Sequence, residues 1–241
     1  MSIGAAIYGC GGTELAESEA RFFREARPWG FILFARNVAS AAQLRRLTAD
    51  LRAAAGHDAP VLIDQEGGRV QRLCPPHWRA WPPERRYGAA LGLAAAEGLL
   101  AGGVLPVIKH IPGHGRAAVD SHKHLPVVET PLDELRRVDF VPFHALRHMP
   151  LAMTAHVVYT AIDPAQPATT SATVISDIIR GEIGFEGCLM SDDLSMQALS
   201  GSLTERTRAS LAAGCDLVLH CNGKMAEMEE VAAAAPNLAG E

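Results

Sequence analysis

Seven short apolar runs recur along the 241 residues, and six helical patterns fill the spaces between them. The runs are residues 5–8, 31–34, 61–63, 104–108, 151–154, 187–190 and 216–220; the helical patterns cover 14–26, 41–55, 86–100, 132–147, 176–183 and 203–213. Strands that are apolar throughout, rather than alternating, are covered on both faces. Their alternation with helices predicts a parallel sheet packed under helices. Most runs end in polar or glycine-rich residues: Arg36-Asn37, Asp64 to Gly68, Lys109-His110, His156, Ser191-Asp192-Asp193 and Cys221-Asn222-Gly223. Polar groups gathered at the same end of every strand favour a (β/α) barrel over an open sheet. The dinucleotide G-x-G-x-x-G fingerprint is absent, which counts against a nucleotide fold.

A barrel needs eight strands, and between Arg72 and Gly103 there is a Pro/Trp-rich segment and one helix but no strand. The predicted fold is therefore α/β, a single TIM-like (β/α) barrel domain over residues 1–241 that lacks one βα unit between Arg72 and Gly103. Residues 89–108 hold a single charge, Glu97, in a stretch long enough to suggest a membrane span. Gly102-Gly103 and Pro106 interrupt it, so it reads as a buried helix, a glycine stop and a strand. The tail from residue 225 reads as a last helix that frays.

A net charge of −5 gives no reason to expect nucleic acid or an anionic membrane as partner. Five scattered cysteines without a C-x-x-C pair indicate neither a zinc ribbon nor a disulfide framework. Reduced thiols and the lack of a signal pattern after Met1 predict a cytoplasmic protein.

Three stretches can carry chemistry. Lys109 to His122 contains Lys109, His110, His114, Asp120 and His122 around a Pro112-Gly113 turn. Asp120 and His122 are two apart, so a loop can turn the carboxylate onto the imidazole, fix its tautomer and favour its proton-donating form near neutral pH. Asp192 directly follows an apolar run, where a carboxylate points into a barrel mouth and can act as a nucleophile or bind a metal. Asp193 or Ser195 suits the capping of the following turn instead. Asp64 leaves another apolar run, and Gly67-Gly68 lets the backbone turn sharply. A metal site built on His110 and His114 would need a helix, which Pro112-Gly113 opposes. A Ser-His-Asp hydrolase is disfavoured because Asp120, Ser121 and His122 are neighbours and no G-x-S-x-G elbow is present.

Taken together, Lys109-His-x-Pro-Gly-His-Gly with Asp120-Ser-His122, the preceding Ile63 to Arg72 motif and the later Ser191-Asp-Asp-Leu-Ser-Met196 resemble the glycoside hydrolase family 3 β-N-acetylhexosaminidases. The narrower likeness is to the bacterial enzymes of peptidoglycan recycling, and it spans nearly the whole chain. The resemblance implies a TIM-like barrel without metal or organic cofactor. It implies a retaining exo-glycosidase that removes terminal non-reducing β-linked N-acetylglucosamine from muropeptides, and a monomer. It also implies Asp192 as the nucleophile, His122 as general acid/base and Asp120 as its partner. Asp64, Arg72, Lys109 and His110 match residues that hold the sugar; Asn37 and His156 are expected to line the mouth. The family carries a further strand and helix after the Arg72 region, ending in a motif with a substrate arginine. Only Glu84-Arg-Arg-Tyr-Gly88 stands here, with Arg85 as the candidate remnant. Two rival readings follow: a non-catalytic remnant of such an enzyme, and a metal-dependent barrel hydrolase.

Overall fold

The computed structural model describes residues 2–82, 89–119, 121 and 124–238, with only the backbone described at 89–91. The chain forms two compact units, residues 1–86 with 220–241 and residues 87–219. Arg85, Asp120 and His122 lie outside the described residues.

The first unit begins with β1 (Gly4–Gly9), α1 (Glu17–Ala26), β2 (Pro28–Leu33), α2 (Ala41–Ala55) and β3 (Val61–Ile63). β1 pairs in parallel with β2, and β2 with β3. The limits of α2 coincide with the sequence expectation because both ends carry strong signals. Ser40 Oγ accepts the Gln43 amide proton at 3.1 Å, Gln43 Oε1 accepts in return from Ser40 N, and Gly56 closes the helix at φ +72. Phe23 of α1 is fully buried, edge-on to Phe31 at 4.9 Å between centroids and stacked on Tyr8. Burying one such ring stabilises the fold by roughly 1.5–3 kcal/mol. The chain then makes a small hairpin, β4 (Gln65–Gly67) with β5 (Val70–Gln71), turned at Gly67 and Gly68, both at positive φ. A Cβ on Gly67 would stand 2.2 Å from the Pro82 carbonyl oxygen, so the hairpin also needs glycine for close approach.

The second unit holds α3 (Ala89–Ala101), β6 (Val107–Ile111), β7 (Val127–Val128), α4 (Leu132–Val138), α5 (Val141–Leu146), β8 (Leu151–Thr154), β9 (Val158–Tyr159) and β10 (Asp163–Pro167). A 3-10 turn (Ala168–Thr170) and a π-type helix (Val174–Glu182) lead to β11 (Cys188–Asp193), α6 (Leu203–Ala213) and β12 (Leu217–His220). Its sheet runs β6-β8-β11-β12, all parallel, with Val107 opposite Leu151 and Leu151 opposite Cys188. Ile111, Leu135, Phe140, Ile179, Phe185 and Leu189 form the fully buried centre of its core. A second, three-stranded sheet pairs β9 with β7 in parallel and with β10 antiparallel.

Two expectations shift here. The strand expected at 104–108 lies at 107–111; Val104 and Leu105 are each 53% exposed, and pairing with β8 starts only beyond Pro106. Lys109 and His110 are thus strand residues, and the peptide bond between them is cis. The helix expected over 132–147 is two helices, with Pro142 in the first turn of α5, where its missing N–H costs nothing. Residues 89–108 resolve into the expected helix, stop and strand, with Gly103 at φ +77; among the described residues no helix is long and apolar enough to cross a membrane. Among the described residues, β3 pairs only with β2 and β6 only with β8.

At His220 the chain returns to the first unit, where α7 (Met225–Ala234) packs on β1 and α1. The tail beyond α7 does not fray as far as residue 238. Ala5 N donates to Pro236 O at 2.9 Å and Leu238 N to Ile3 O at 2.7 Å, so the start of β1 holds it.

Candidate active site

The second unit brings Lys109 and His110 of β6 toward Asp192 of β11. Asp192 is the fifth residue of its strand, and its side chain is 12% exposed. His110 Nε2 stands 3.7 Å from its Oδ2, an ion-pair rather than a hydrogen-bond separation. Asp192 Oδ1 accepts the Asp193 amide proton at 2.8 Å. Burial works to raise the Asp192 pKa. The positive charges of His110 and Lys109 and the Asp193 amide more than reverse it, so the carboxyl is held below its ordinary range. The result is a carboxylate kept ionised in a largely dry place, with one edge open: the condition a nucleophilic carboxylate needs.

The backbone around Asp192 is fixed on both sides. Ser191 Oγ accepts from Leu219 N at 3.0 Å, and Leu194 N donates to Leu219 O at 2.9 Å. The Asp193 side chain caps the following turn. Its two oxygens accept from Ser195 N at 3.0 Å and Ser195 Oγ at 2.7 Å, as the capping expectation requires.

The stretch from His110 toward Ser121 is anchored at its base. Tyr159 donates its hydroxyl proton to Gly113 O, and a Cβ on Gly113 would stand 3.1 Å from Asp139 Cβ. Arg116 bridges Asp139 (2.8 Å) and Glu134 (2.9 Å). The His114 ring tilts against His110 at 5.4 Å, and its Nε2 stands 3.4 Å from Ser121 Oγ. No sequence signal marks Tyr159 or Asp139 as supports of this segment, because both lie in unremarkable parts of the chain.

In the first unit Asp64 and Arg72 are paired, with Arg72 Nη2 donating to Asp64 Oδ2 at 3.2 Å; both side chains are about three-quarters buried. The Arg72 guanidinium lies 5.7 Å from the Phe34 ring centroid, and its buried Nε has no acceptor among the described residues. Gln65 Oε1 accepts from Leu73 N at 3.0 Å and Arg72 N at 3.2 Å, which fixes the hairpin that presents Arg72.

Asn37 and His156 do not line a mouth: both are completely buried. Asn37 donates to Cys10 O and Gly12 O and accepts from Phe34 N, tying the loops after β1 and β2 together. His156 is held between Thr169 Oγ1 at 2.7 Å and Asp193 O at 3.0 Å. Among the described residues no three His, Cys, Asp or Glu side chains are grouped to hold a metal ion.

A carboxylate at a parallel strand end, faced by a lysine and a histidine from the strand beyond β8, suits a nucleophile at a barrel mouth. Residues 75–239 match the glycosyl hydrolase family 3 N-terminal domain, and the chain belongs to that family. It is 34% identical to a β-hexosaminidase of Nitrosospira multiformis over 292 aligned positions, covering 95% of this chain and 83% of the relative. The β-hexosaminidase of Pseudomonas aeruginosa strain PAO1 is 36% identical over 278 positions, with 92% and 83% covered. NagZ of Neisseria gonorrhoeae, solved with N-trifluoroacetyl-D-glucosamine, superposes over 97% of this chain and 89% of its own at a TM-score of 0.84 and 28% identity. The family 3 β-N-acetylglucosaminidase of Paenibacillus sp. str. FPU-7 superposes at 0.86 and 29% identity over 95% of this chain, which spans 56% of that one. The chain is a family 3 glycosidase of the β-hexosaminidase group. The aligned lengths of 292 and 278 positions exceed the 241 residues available, so these relatives contain stretches with no counterpart here.

Proposed function

We propose that this chain is a retaining exo-β-N-acetylglucosaminidase that removes terminal, non-reducing N-acetylglucosamine from muropeptides during peptidoglycan recycling in the cytoplasm. The single observation that carries the reading is the ionised, nearly buried Asp192 carboxylate facing His110 at 3.7 Å. In the first step an Asp192 oxygen attacks the anomeric carbon, and the leaving oxygen takes a proton from His122, whose ring Asp120 orients. In the second step water attacks the glycosyl-enzyme, His122 takes its proton, and Asp192 leaves as carboxylate. Retaining enzymes ordinarily use a second carboxyl group as the acid. A histidine titrates near neutral pH without help, whereas a carboxylic acid needs an environment that raises its pKa considerably. The roles of His122 and Asp120 come from the family motif. Lys109, His110, Asp64 and Arg72 hold sugar hydroxyls in this reading, which the Arg72 Nε, without an acceptor among the described residues, supports.

The barrel of this reading is one βα unit short between Arg72 and Gly103. The aligned lengths of the relatives and the single pairing of β3 and of β6 support that. The same observations favour a second reading, an inactive remnant of the enzyme. One experiment separates the two: release of p-nitrophenol from p-nitrophenyl β-N-acetylglucosaminide by the purified chain, with anomeric retention followed by proton NMR. Hydrolysis with retention supports the enzyme; a cooperatively folded chain that releases nothing leaves the remnant.

A further inference from the structure

The chemistry at Asp192 depends on a group that never meets substrate. Thr154 ends β8, His156 follows two residues later, and Thr169 sits in the 3-10 turn beyond β10; all three are completely buried. Thr154 Oγ1 and Thr169 Oγ1 are 2.9 Å apart, Thr169 Oγ1 is 2.7 Å from His156 Nδ1, and His156 Nε2 is 3.0 Å from Asp193 O. The proton positions follow from one end of this row. A carbonyl oxygen only accepts, so His156 Nε2 carries a proton. In a neutral ring with its proton on Nε2, Nδ1 is an acceptor and Thr169 donates to it. Thr169 has one hydroxyl proton, and the 2.7 Å contact is shorter than its 3.2 Å alternative, Ala155 O. Thr169 then accepts from Thr154. Donation runs one way, from Thr154 through Thr169 and His156 to the Asp193 carbonyl.

That carbonyl is one residue beyond Asp192 and also closes the following turn by accepting from Met196 N at 3.1 Å. With Ser191 and Leu194 already tied to Leu219, the His156 bond holds the end of β11 from the β8 side. We infer that His156, locked in its Nε2–H form by Thr169 and Thr154, is a positioning residue that aims the Asp192 carboxylate for attack on the anomeric carbon. This rests on the proposed nucleophilic role of Asp192. Full burial excludes His156 from touching a sugar, so it acts only through the strand end. The other groups facing Asp192 are Lys109 and His110 from β6 and the Asp193 amide.

The test uses the full chain with His156→Leu, His156→Gln and Thr169→Val. Glutamine can place an amide N–H near the position of Nε2; leucine fills space without a donor. Misplacing a reacting group by about 1 Å costs on the order of 100-fold. With p-nitrophenyl β-N-acetylglucosaminide, His156→Leu is expected to lower kcat roughly 100-fold with KM within about twofold. His156→Gln should recover about tenfold of that loss, and Thr169→Val should fall between. A folded His156→Leu protein with unchanged kcat, or glutamine no better than leucine, overturns the inference. Long-range proton–nitrogen NMR of His156 decides independently of turnover, and so also covers an inactive wild type or an unfolded leucine variant. A single Nε2–H tautomer in the wild type, mixed in Thr169→Val, supports the tether. A mixed tautomer or a doubly protonated ring in the wild type refutes it, whereas an inactive wild type with the tautomer locked refutes only the glycosidase reading.

Discussion

Removing one hydroxyl group, in Tyr159→Phe, tests how the segment beyond β6 is anchored. Tyr159 is 1% exposed, and its hydroxyl donates to the carbonyl of Gly113, itself buried. Burial pushes the Tyr159 pKa well up, so the phenol is a donor at any working pH. Phenylalanine keeps the ring packing and deletes the donor, leaving a buried carbonyl oxygen without it. A buried polar group left in that way costs about 1–3 kcal/mol, against the 0.5–1.5 kcal/mol net value of an average hydrogen bond. The upper half of the range applies because the backbone cannot turn aside: Gly113 is seated at φ +147 against Asp139. For a chain of this length each kcal/mol moves the midpoint by roughly 2–4 °C. A loss of about 2 kcal/mol therefore lowers Tm by roughly 4–8 °C in a calorimetric scan. The same scan run on a variant melting within about 1 °C of wild type would refute the anchor.

Other perturbations separate support from chemistry. Asn37→Ala strands the Phe34 amide and the Gly12 carbonyl oxygen, while Cys10 O keeps its bond from Arg36 Nε; it is expected to cost about 2 kcal/mol in urea unfolding while leaving KM of any folded fraction near wild type. Glu227 meets His220, Asn222 and Lys224; burial opposes its charge, but these partners hold its pKa at about 2 instead of 4.5. Its contribution is present above about pH 4.5 and is lost as pH falls through about 2, so Glu227→Gln should flatten the stability profile across that window. His110→Gln removes the positive group nearest Asp192, so the acid limb of kcat/KM should move to higher pH. A limb that stays in place would assign the low Asp192 pKa to other groups. His122→Ala should depress hydrolysis of natural muropeptides far more than of activated aryl glycosides, since a good leaving group needs little protonation; equal losses count against His122 as the acid.

Much of this architecture was legible because local signals agreed with the packing. The capping box at Ser40 and Gln43 and its counterpart at Ser202 and Glu205 set the starts of α2 and α6, and Gly56 and Gly214 set their ends. The apolar runs located seven parallel strands. The reading failed where a strand carries polar residues into the site. β6 was placed three residues early because Val104 and Leu105 extend the apolar run, while Lys109 and His110 look like a strand's end. Asp192 and Asp193 belong to β11 for the same reason. The sharp turn at Gly67-Gly68 is legible in the sequence, whereas the hairpin there and the pairing of Asp64 with Arg72 are not. Asn37 and His156 were misjudged because a polar residue after a strand can face inward to tie loops as readily as outward to meet a ligand. Only the partners distinguish these cases, and the partners of His156 are 13 and 37 residues away.

The central claim is a covalent bond to Asp192, and it can be observed directly. In His122→Ala an activated aryl β-N-acetylglucosaminide can still glycosylate the enzyme, but the general base that activates water for the second step is gone. Peptide mapping by mass spectrometry of that variant, quenched after mixing with the substrate, should find an N-acetylhexosaminyl ester on Asp192. Turnover without an adduct, or an adduct on another residue, would contradict the account.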